Sequence, residues 1–321
     1  MAAASALHLR MLFPSDPWTQ ALVDGAVGEP RLTWDSRSDV APAPERFEVA
    51  AAGGFDVGEN GVRRIAFDVL AGKPANGIPV FFGREHMQRN IFVRADSPLR
   101  GLRDLEGKRV GSGLSVQSGT GAGVVMMLEL GYGVDLHSIE WHCGNGLEHP
   151  VNRMGLELRP GPRNHEELFQ AVLRGDLDAG FITDGPRYWS LFGGDKLDEE
   201  VKQHAGIRVL LDDPAQIADQ YKRTGLYPIT DVATLRPELA RQHPDLADRL
   251  VSLFSKANAL ASRYRPPDEQ QLADREIGML REDPHQYGLT PANRANLAAL
   301  LDFFYRLGAL ERILDPEELF V

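Results

Sequence analysis

The spacing of hydrophobic residues predicts strands and helices that follow one another along the chain. Residues 7–13 alternate apolar and polar side chains, as the first strand of a half-buried sheet would. Residues 61–70 repeat apolar side chains at helical spacing, directly after a short buried strand at 55–59. Strands that alternate with helices in this way predict an α/β protein with largely parallel sheets.

The same patterns place the remaining elements. Further strands are predicted at residues 32–36, 78–82, 91–94, 139–142, 178–183, 207–211 and 229–235. Further helices are predicted at residues 18–27, 166–174, 214–222, 244–264, 268–281 and 291–307. Residues 83–90 are mostly polar and predict a loop between two strands.

Residues 102–129 join a strand, a loop rich in Gly and Ser, and an apolar helix. Such a helix start presents unpaired backbone N–H groups and the positive end of the helix dipole, which suit a carboxylate or a phosphate. Side-chain donors are added by Ser115, Gln117, Ser118 and Thr120. The loop lacks the spacings of the Walker A and GxGxxG motifs. An ordinary strand-to-helix turn with serine N-caps explains the same residues, so both interpretations stay open.

Composition describes an ordinary globular protein and excludes some partners. The 321 residues allow about two domains, with 43% hydrophobic and 25% charged residues. The net charge of −11 argues against nucleic acid or an anionic membrane as the main partner. The single cysteine, Cys143, excludes an internal disulfide.

The first residues bear on cellular location. They carry neither a basic segment nor an apolar run of the length that an export signal needs. No stretch of the chain reaches transmembrane length. We therefore expect a cytoplasmic protein without a membrane partner. A homo-oligomer is compatible with this composition.

Motifs for metal ions and for covalent catalysis are absent from the sequence. No HxH, HExxH or CxxC spacing occurs, so we expect neither a dedicated metal site nor a cofactor. No GxSxG elbow occurs, so a Ser/His/Asp triad is not predicted. Five histidines in polar stretches receive no role: His149, His165, His204, His243 and His285.

Several stretches resemble known families. LEGKRVG at 105–111 and GDLDA at 175–179 are similar to proteins of the type II periplasmic-binding-protein fold. Further stretches resemble the 4,5-dihydroxyphthalate decarboxylase family, whose enzymes use that fold. They are FDVGE at 55–59, IPVF and IFVR within 78–94, VD to IEW at 134–141, RTGLYPI at 223–229 and PEELF at 316–320.

The resemblance implies a two-lobe α/β protein with a ligand cleft between the lobes. The chain would cross between lobes near residues 89–95 and 186–196. Lobe one would then hold residues 1–90 plus 195–321, and lobe two residues 91–194. Ligand would lie at the carboxyl ends of strands and the starts of helices, where closure of the lobes shields it from water.

Mapping the predicted elements onto this cleft selects the candidate site residues. In lobe one they are Trp18, Arg37, Glu59, His86, Arg89, Tyr227 and Asp231. In lobe two they are Ser115, Gln117, Ser118 and Thr120 of the Gly/Ser loop, with Asp184 and Arg187 after a strand. Most also have a structural explanation: Trp18 as core, Glu59 as a helix cap, His86 as a surface residue, and Arg37 and Arg187 in ion pairs or solvated.

The chemistry implied by the resemblance is non-oxidative decarboxylation of a hydroxylated aromatic acid, a small anionic carboxylate substrate. A cradle for the carboxylate would come from one of the three candidate arginines together with the Gly/Ser loop. The catalytic proton would come from His86 or Glu59. The two aromatic candidates would stack on the substrate ring.

Two departures from the family pattern accompany the resemblance. The family carries Arg-His-Ser before the crossing strand, where this chain has MQRN at 87–90. It also carries a histidine after the Tyr-Pro-Ile stretch, where this chain has Asp231.

Three functions are compatible with the sequence. The first, which we favour, is a carboxy-lyase, and the second is another enzyme of this scaffold, as in menaquinone or thiamine-pyrimidine pathways. The third is a non-catalytic binding protein for an anionic solute, serving a transporter or a sensor.

Overall fold

Two mixed sheets form the framework of the protein, in a computed structural model that describes residues 6–37, 54–144, 152–182, 191–192 and 203–321. The first sheet contains β1 (Leu7–Leu12), β2 (Leu32–Arg37), β3 (Val57–Gly61), β4 (Gly77–Arg84) and β11 (Ile229–Leu235). The second contains β5 (Ile91–Arg94), β6 (Arg109–Ser112), β7 (Glu140–Cys143), β8 (Leu158–Pro160), β9 (Ala179–Phe181) and β10 (Ile207–Val209). Their strand orders are β2-β1-β3-β11-β4 and β10-β5-β9-β6-β7-β8.

Helices cover the sheets. They are α1 (Gln20–Val23), α2 (Val62–Leu70), α3 (Gly119–Met126), α4 (His165–Arg174), α5 (Pro214–Thr224), α6 (Pro237–Gln242), α7 (Leu246–Asn258), α8 (Pro267–Leu280) and α9 (Pro291–Arg306). Short 3₁₀ segments lie at Met87–Asn90, Leu102–Leu105, Leu136–Ser138, Ala261–Arg263 and Pro316–Leu319, and a π-helical turn at Met127–Gly131 extends α3. None of the described helices is long and apolar enough to cross a membrane.

Capping residues set the ends of two of these helices. Helix α4 begins after Asn164, whose side chain accepts a hydrogen bond from the N–H of Glu167. It ends at Gly175, which has a φ of 79° that favours glycine. Helix α5 is bounded in the same way by Asp213 and Gly225. Local sequence therefore determines where these helices start and stop.

The antiparallel strand pairs of the described chain all involve β5 or β11. Strand β5 runs antiparallel to β9 and β10, and β11 runs antiparallel to β3 and β4. Each is the first strand after the chain passes from one sheet to the other. Two strands of one sheet that are joined by a helix usually run parallel to each other. Neither β5 nor β11 is joined in this way to the strand before it, because that strand belongs to the other sheet. The expectation of largely parallel sheets is corrected in this respect.

Most predicted elements are present with shifted ends, but the loop prediction for residues 83–90 is wrong. Strand β4 continues through Arg84, Met87–Asn90 is a 3₁₀ helix, and every residue from 81 to 90 is buried. This segment carries the chain from the first sheet to the second, so both sheets pack around it. Helix α6 was also not predicted, and the helix predicted at 244–264 ends as α7 at Asn258.

The largest apolar core draws side chains from both sheets. It includes Phe81 of β4, Trp141 of β7, Phe181 of β9 and Phe304 of α9. Helix α3, which follows β6, packs against α9 near the C-terminus. Burial of one such side chain contributes about 1.5–3 kcal/mol. Packed side chains therefore join the two halves, in addition to the crossing segments.

The two sheets use the chain in different ways. The first takes strands from both ends of the sequence, β1–β4 and β11, whereas the second takes the consecutive strands β5–β10. Strand β10 lies inside the range predicted for lobe one, yet it pairs with β5 of the second sheet. The lobe boundaries after residues 90 and 194 stay a prediction.

Cys143 provides a test of the packing of the second sheet. The residue is 1% exposed, and burial raises the pKa of its thiol to about 11. Because the thiolate is the reactive species, iodoacetamide at pH 8 should modify the native protein about 100-fold more slowly than the unfolded chain. Between pH 8 and pH 9 the native rate should rise about tenfold and the unfolded rate only about threefold. Mass spectrometry measures the modification of this single cysteine, and equal native and unfolded rates would contradict the described burial.

Candidate active site

Several strand ends of the first sheet meet along one edge. Strand β11 runs antiparallel between β3 and β4, so its start lies beside the carboxyl ends of both. Arg84, the last residue of β4, is paired with Ile229, the first residue of β11. Side chains that leave these strands are therefore brought together: Trp18 after β1, His86 after β4 and Tyr227 before β11.

Arg84 is a buried cation at this edge, with 4% of its surface exposed. Its guanidinium carbon lies 4.9 Å from the ring centre of Tyr227. Its Nη1 donates a long hydrogen bond of 3.4 Å to the carbonyl of Gln286, and Nε has no partner among the described residues. No carboxylate in the described ranges forms an ion pair with it. Burial lowers the pKa of Arg84, but a guanidinium keeps its charge in proteins, so this position suits an anion.

His86 is buried next to Arg84. Its Nε2 lies 2.9 Å from Oε1 of Glu276 on α8, and Nδ1 has no hydrogen-bond partner in the part of the chain that the structure describes. The ring packs against Tyr227, with ring centres 4.6 Å apart. The carbonyl of His86 accepts the N–H of Arg89, which starts the 3₁₀ segment and holds the backbone in place. Nε2 of His86 is thus engaged by Glu276, and Nδ1 is available to a ligand.

His285 joins Trp18 to this group. The His285 ring stacks on Trp18, with centres 5.3 Å and planes 16° apart, and meets Tyr227 edge-on at 5.8 Å. Burial, reinforced by the positive charge of Arg84, lowers the pKa of His285 to about 3. His285 is therefore neutral at pH 7 and adds an aromatic face without further positive charge.

We refer to six of these residues as the Arg84–His86 cluster: Trp18, Arg84, His86, Tyr227, Glu276 and His285. Three of them, Trp18, His86 and Tyr227, were predicted as site residues. The alternative of a surface His86 is wrong, because its ring is wholly buried. The binding and proton-transfer roles of these side chains stay predictions. Within the described ranges, no three His, Cys, Asp or Glu side chains converge as metal ligands would.

Arg37 and Glu59 lie elsewhere along the same sheet. Arg37 ends β2, at the opposite edge of the sheet from β4, and its side chain is exposed. Glu59 is buried on β3 and is paired with Ala233 of β11. Because neighbouring strands are about 4.8 Å apart, Glu59 lies roughly 10 Å from β4. The sheet therefore separates both residues from His86.

Arg89 ties the two crossing segments together. Its side chain is 1% exposed, and Nη1 donates to Oδ1 of Asp212 at 2.6 Å and to the carbonyl of Leu191 at 3.5 Å. Asp212 follows β10, where the chain returns towards the first sheet. Arg89 is thus a buried cation paired with a carboxylate that is 65% exposed, and its part in a substrate cradle stays a prediction.

The Gly/Ser loop is held partly by its own side chains. Ser115 Oγ accepts the N–H of Gln117 at 3.1 Å. Gln117 Nε2 donates to the carbonyl of Leu307 at 2.7 Å, and both side chains are wholly buried. These two predicted donors therefore shape the loop.

The start of α3 presents free backbone donors. Ser118 is the N-cap, and its Oγ accepts the N–H of Gly121 at 3.0 Å, as the structural alternative for this loop foresaw. The N–H groups of Gly119 and Thr120 have no hydrogen-bond partner among the residues described. A Cβ on Gly119 would lie 3.9 Å from Cβ of Thr230 on β11. This helix start therefore faces the first sheet directly.

Asp231 stands on β11, where the resemblance implies a histidine. Its Oδ2 accepts a hydrogen bond from Thr230 Oγ1 at 3.0 Å. A Cβ on Gly83 would overlap the same oxygen, so a larger residue at this position of β4 would force the Asp231 side chain to move. Asp231 thus packs beside the residue that precedes Arg84. The predicted Asp184 and Arg187 lie outside the described residues.

Three residues of the Arg84–His86 cluster were missed from the sequence. Arg84 was predicted to lie in a loop. Had the predicted strand at 78–82 been extended by two residues, Arg84 would have been selected as a residue at a strand end. Glu276 is 190 positions from His86 and reaches it only through the packing of α8. His285 follows α8 in a polar stretch that resembles surface sequence. For Glu276 and His285 the sequence carries no local signal.

Solved structures with the same architecture cover nearly the whole chain. A periplasmic sulfonate-binding protein SsuA from Methylobacillus flagellatus has a TM-score of 0.58 at 12% identity, covering 99% of this chain and 92% of the other. The alkanesulfonate-binding protein SsuA from Xanthomonas axonopodis pv. citri has a TM-score of 0.55 at 17% identity, covering 99% of both chains. A DszB mutant in complex with biphenyl-2-sulfinic acid has a TM-score of 0.50 at 17% identity, covering 98% and 96%. The protein has the two-lobe type II periplasmic-binding-protein fold, as predicted.

Sequence comparison indicates the branch of this fold. The chain is 31% identical over 224 residues to 4,5-dihydroxyphthalate decarboxylase from Comamonas testosteroni. The match covers 67% of this chain and 64% of that enzyme, which is just under two thirds of its length. No family model matches the sequence. Over this length the chain is similar to 4,5-dihydroxyphthalate decarboxylase, and the predicted resemblance is confirmed.

Proposed function

We propose that the protein is a carboxy-lyase that removes CO2 from a hydroxylated aromatic carboxylic acid of the 4,5-dihydroxyphthalate type. Arg84 carries this proposal: it is a buried guanidinium, without a carboxylate partner among the described residues, over the ring of Tyr227 and beside His86. A buried cation suits an anionic group, a ring wall suits a planar substrate, and a histidine suits proton transfer. The relationship to the decarboxylase supports the same function.

Arg84 is assigned to the carboxylate that remains on the product. Decarboxylation converts a charged carboxylate into neutral CO2. A cation that held the leaving group would stabilise the ground state more than the transition state. A phthalate keeps its second carboxylate throughout the reaction, so Arg84 can anchor that group without slowing the loss of CO2. The leaving carboxylate is better placed against apolar surface from which water is excluded.

His86 is assigned to protonate the substrate ring. The proton on Nδ1 adds to the ring carbon that bears the leaving carboxylate. The bond from that carbon to the carboxylate then breaks, its electron pair returns to the ring, and CO2 departs. A hydroxyl para to the same carbon supplies electron density to the step. Solvent restores the proton to His86 when the cleft opens.

Turnover of a defined panel tests this function. Hydroxylated phthalates labelled with ¹³C in the carboxyl groups should release ¹³CO2, and 4,5-dihydroxyphthalate should yield 3,4-dihydroxybenzoate, both measured by NMR. Hydroxybenzoates with one carboxylate should have kcat/KM values about 10²-fold lower, because they cannot both bind Arg84 and lose CO2. Calorimetry on the same compounds measures binding separately. Phthalates that bind without release of CO2 would contradict the carboxy-lyase.

A second candidate is a binding protein for a small anion. Asp231 in place of the family's histidine favours it, because a proton donor of the family is then missing. Neighbours of this fold are named for sulfonate binding or hold MOPS or biphenyl-2-sulfinic acid. Arg84 and the start of α3 suit a sulfonate as well as a carboxylate. Tight binding of aromatic sulfonates, without CO2 from any carboxylate of the panel, would favour this function.

A further inference from the structure

We infer that Glu276 is a positioning residue for His86, which fixes the imidazole with Nδ1 available to the substrate and stabilises the protonated ring. The inference rests on the proposed function in one respect, that His86 is the acid. It assigns a role to a residue on α8, a helix that contributes none of the residues predicted from the sequence.

The contact between the two side chains is short and shielded from water. His86 Nε2 lies 2.9 Å from Glu276 Oε1, and the two side chains are 0% and 4% exposed. An ionised carboxylate offers only acceptors, so this hydrogen bond requires a proton on Nε2. The proton that the ring gains and loses is then the one on Nδ1. Because Nδ1 has no partner in the described ranges, it is the atom left for the substrate.

The other groups around His86 increase the need for a carboxylate. Besides Glu276, the ionisable groups that flank or contact it are Arg84, Glu85, Arg89, Tyr227 and His285. Arg84 brings a further positive charge to this buried site, where like charges repel strongly. Glu85 accepts a hydrogen bond from Asn90 at 3.0 Å. Glu276 is in direct hydrogen-bond contact with the ring, so its carboxylate can offset the charge of a protonated His86.

A cavity lined by Glu276 gives access to its side chain. It has a volume of about 200 Å³ and lies between the end of α7 and α8. Its lining includes the buried Ala273 and Glu276 and, towards solvent, the exposed Ser262 and Ile277. A small carboxylate such as formate can thus reach the position of the Glu276 side chain through this cavity.

The experiment follows the His86 ring by ¹⁵N NMR in the full-length protein. The variants are Glu276→Gln, which keeps an oxygen acceptor and removes the charge, and Glu276→Ala. Asp274→Asn is the matched control, because Asp274 is an exposed carboxylate on the same helix. The neutral wild-type ring should carry its proton on Nε2, and this preference should weaken in Glu276→Gln and be lost in Glu276→Ala. Formate should restore the proton on Nε2 in Glu276→Ala, and the Asp274→Asn control should keep the wild-type position of the proton.

Turnover gives a second readout. Glu276→Gln should lower kcat at neutral pH by about tenfold, because the amide holds the imidazole less firmly than the carboxylate does, and KM should change much less. A neutral wild-type ring with its proton on Nδ1, or a preference for Nε2 that survives in Glu276→Ala, would overturn the inference. If the NMR results hold and wild type decarboxylates no aromatic acid, the proposed function fails and the positioning of His86 by Glu276 stands.

Discussion

Replacing His86 by glutamine should lower kcat for decarboxylation by about 10²–10⁴-fold, the range that general acid catalysis contributes. Glutamine can still form a hydrogen bond with Glu276, but it cannot give up a proton at neutral pH. Binding of the substrate should be nearly unchanged, because Arg84 and the ring of Tyr227 remain. The measurement pairs ¹³CO2 release with calorimetry on the same variant.

His137→Gln is the matched control for this variant. His137 is an exposed histidine in the 3₁₀ segment ahead of β7, far along the chain from the cluster. Its replacement should leave turnover at the wild-type level. If kcat survives in His86→Gln, His86 is not the acid, and Glu59→Gln tests the other predicted donor.

Replacing Arg84 by methionine should weaken phthalate binding by about 10²–10³-fold, the usual loss when one member of a buried charge pair is removed. The stability of the ligand-free protein should respond differently. Arg84 makes one long hydrogen bond and no ion pair among the described residues, so its burial is costly before an anion arrives. The free energy of unfolding without ligand should therefore stay within about 1 kcal/mol of wild type or rise.

Arg241→Met controls for the loss of an arginine. Arg241 is exposed on α6 and pairs with Glu238 on the same helix, a contact of small expected value. Calorimetry should give wild-type affinity for this variant, and urea titration gives the unfolding free energy of both. Undiminished phthalate affinity in Arg84→Met would exclude Arg84 as the anchor of the substrate.

The fold could be predicted from the sequence because its elements carry local signals. Strand β11 has the predicted bounds, Ile229–Leu235, and α9 ends one residue before the predicted end. Both are long runs with a clear period, bounded by proline or polar residues. The short α1 and α6 lack such runs: α1 fills only part of the helix predicted at 18–27, and α6 was not predicted.

The site could be predicted only in part, because its formation depends on packing between distant segments. Tyr227 and Trp18 lie next to strands with a clear hydrophobic pattern, so the selection of residues at strand ends identified both of them. The polar stretch around His86 has the composition of surface sequence. It is buried because partners such as Glu276 satisfy it from far along the chain, and such partners have no local signature.

The position of β11 also governs how the protein can fold while it is being synthesised. Strand β11 lies between β3 and β4, and β4 has no other strand neighbour in the described sheet order. Strand β4 therefore stays unpaired until residues 229–235 have left the ribosome. Strands with unpaired edges are prone to aggregate. The strands of the second sheet all lie between residues 91 and 209 and are complete earlier. The second sheet can therefore fold before the first sheet, although strands β1–β4 of the first sheet are synthesised earlier.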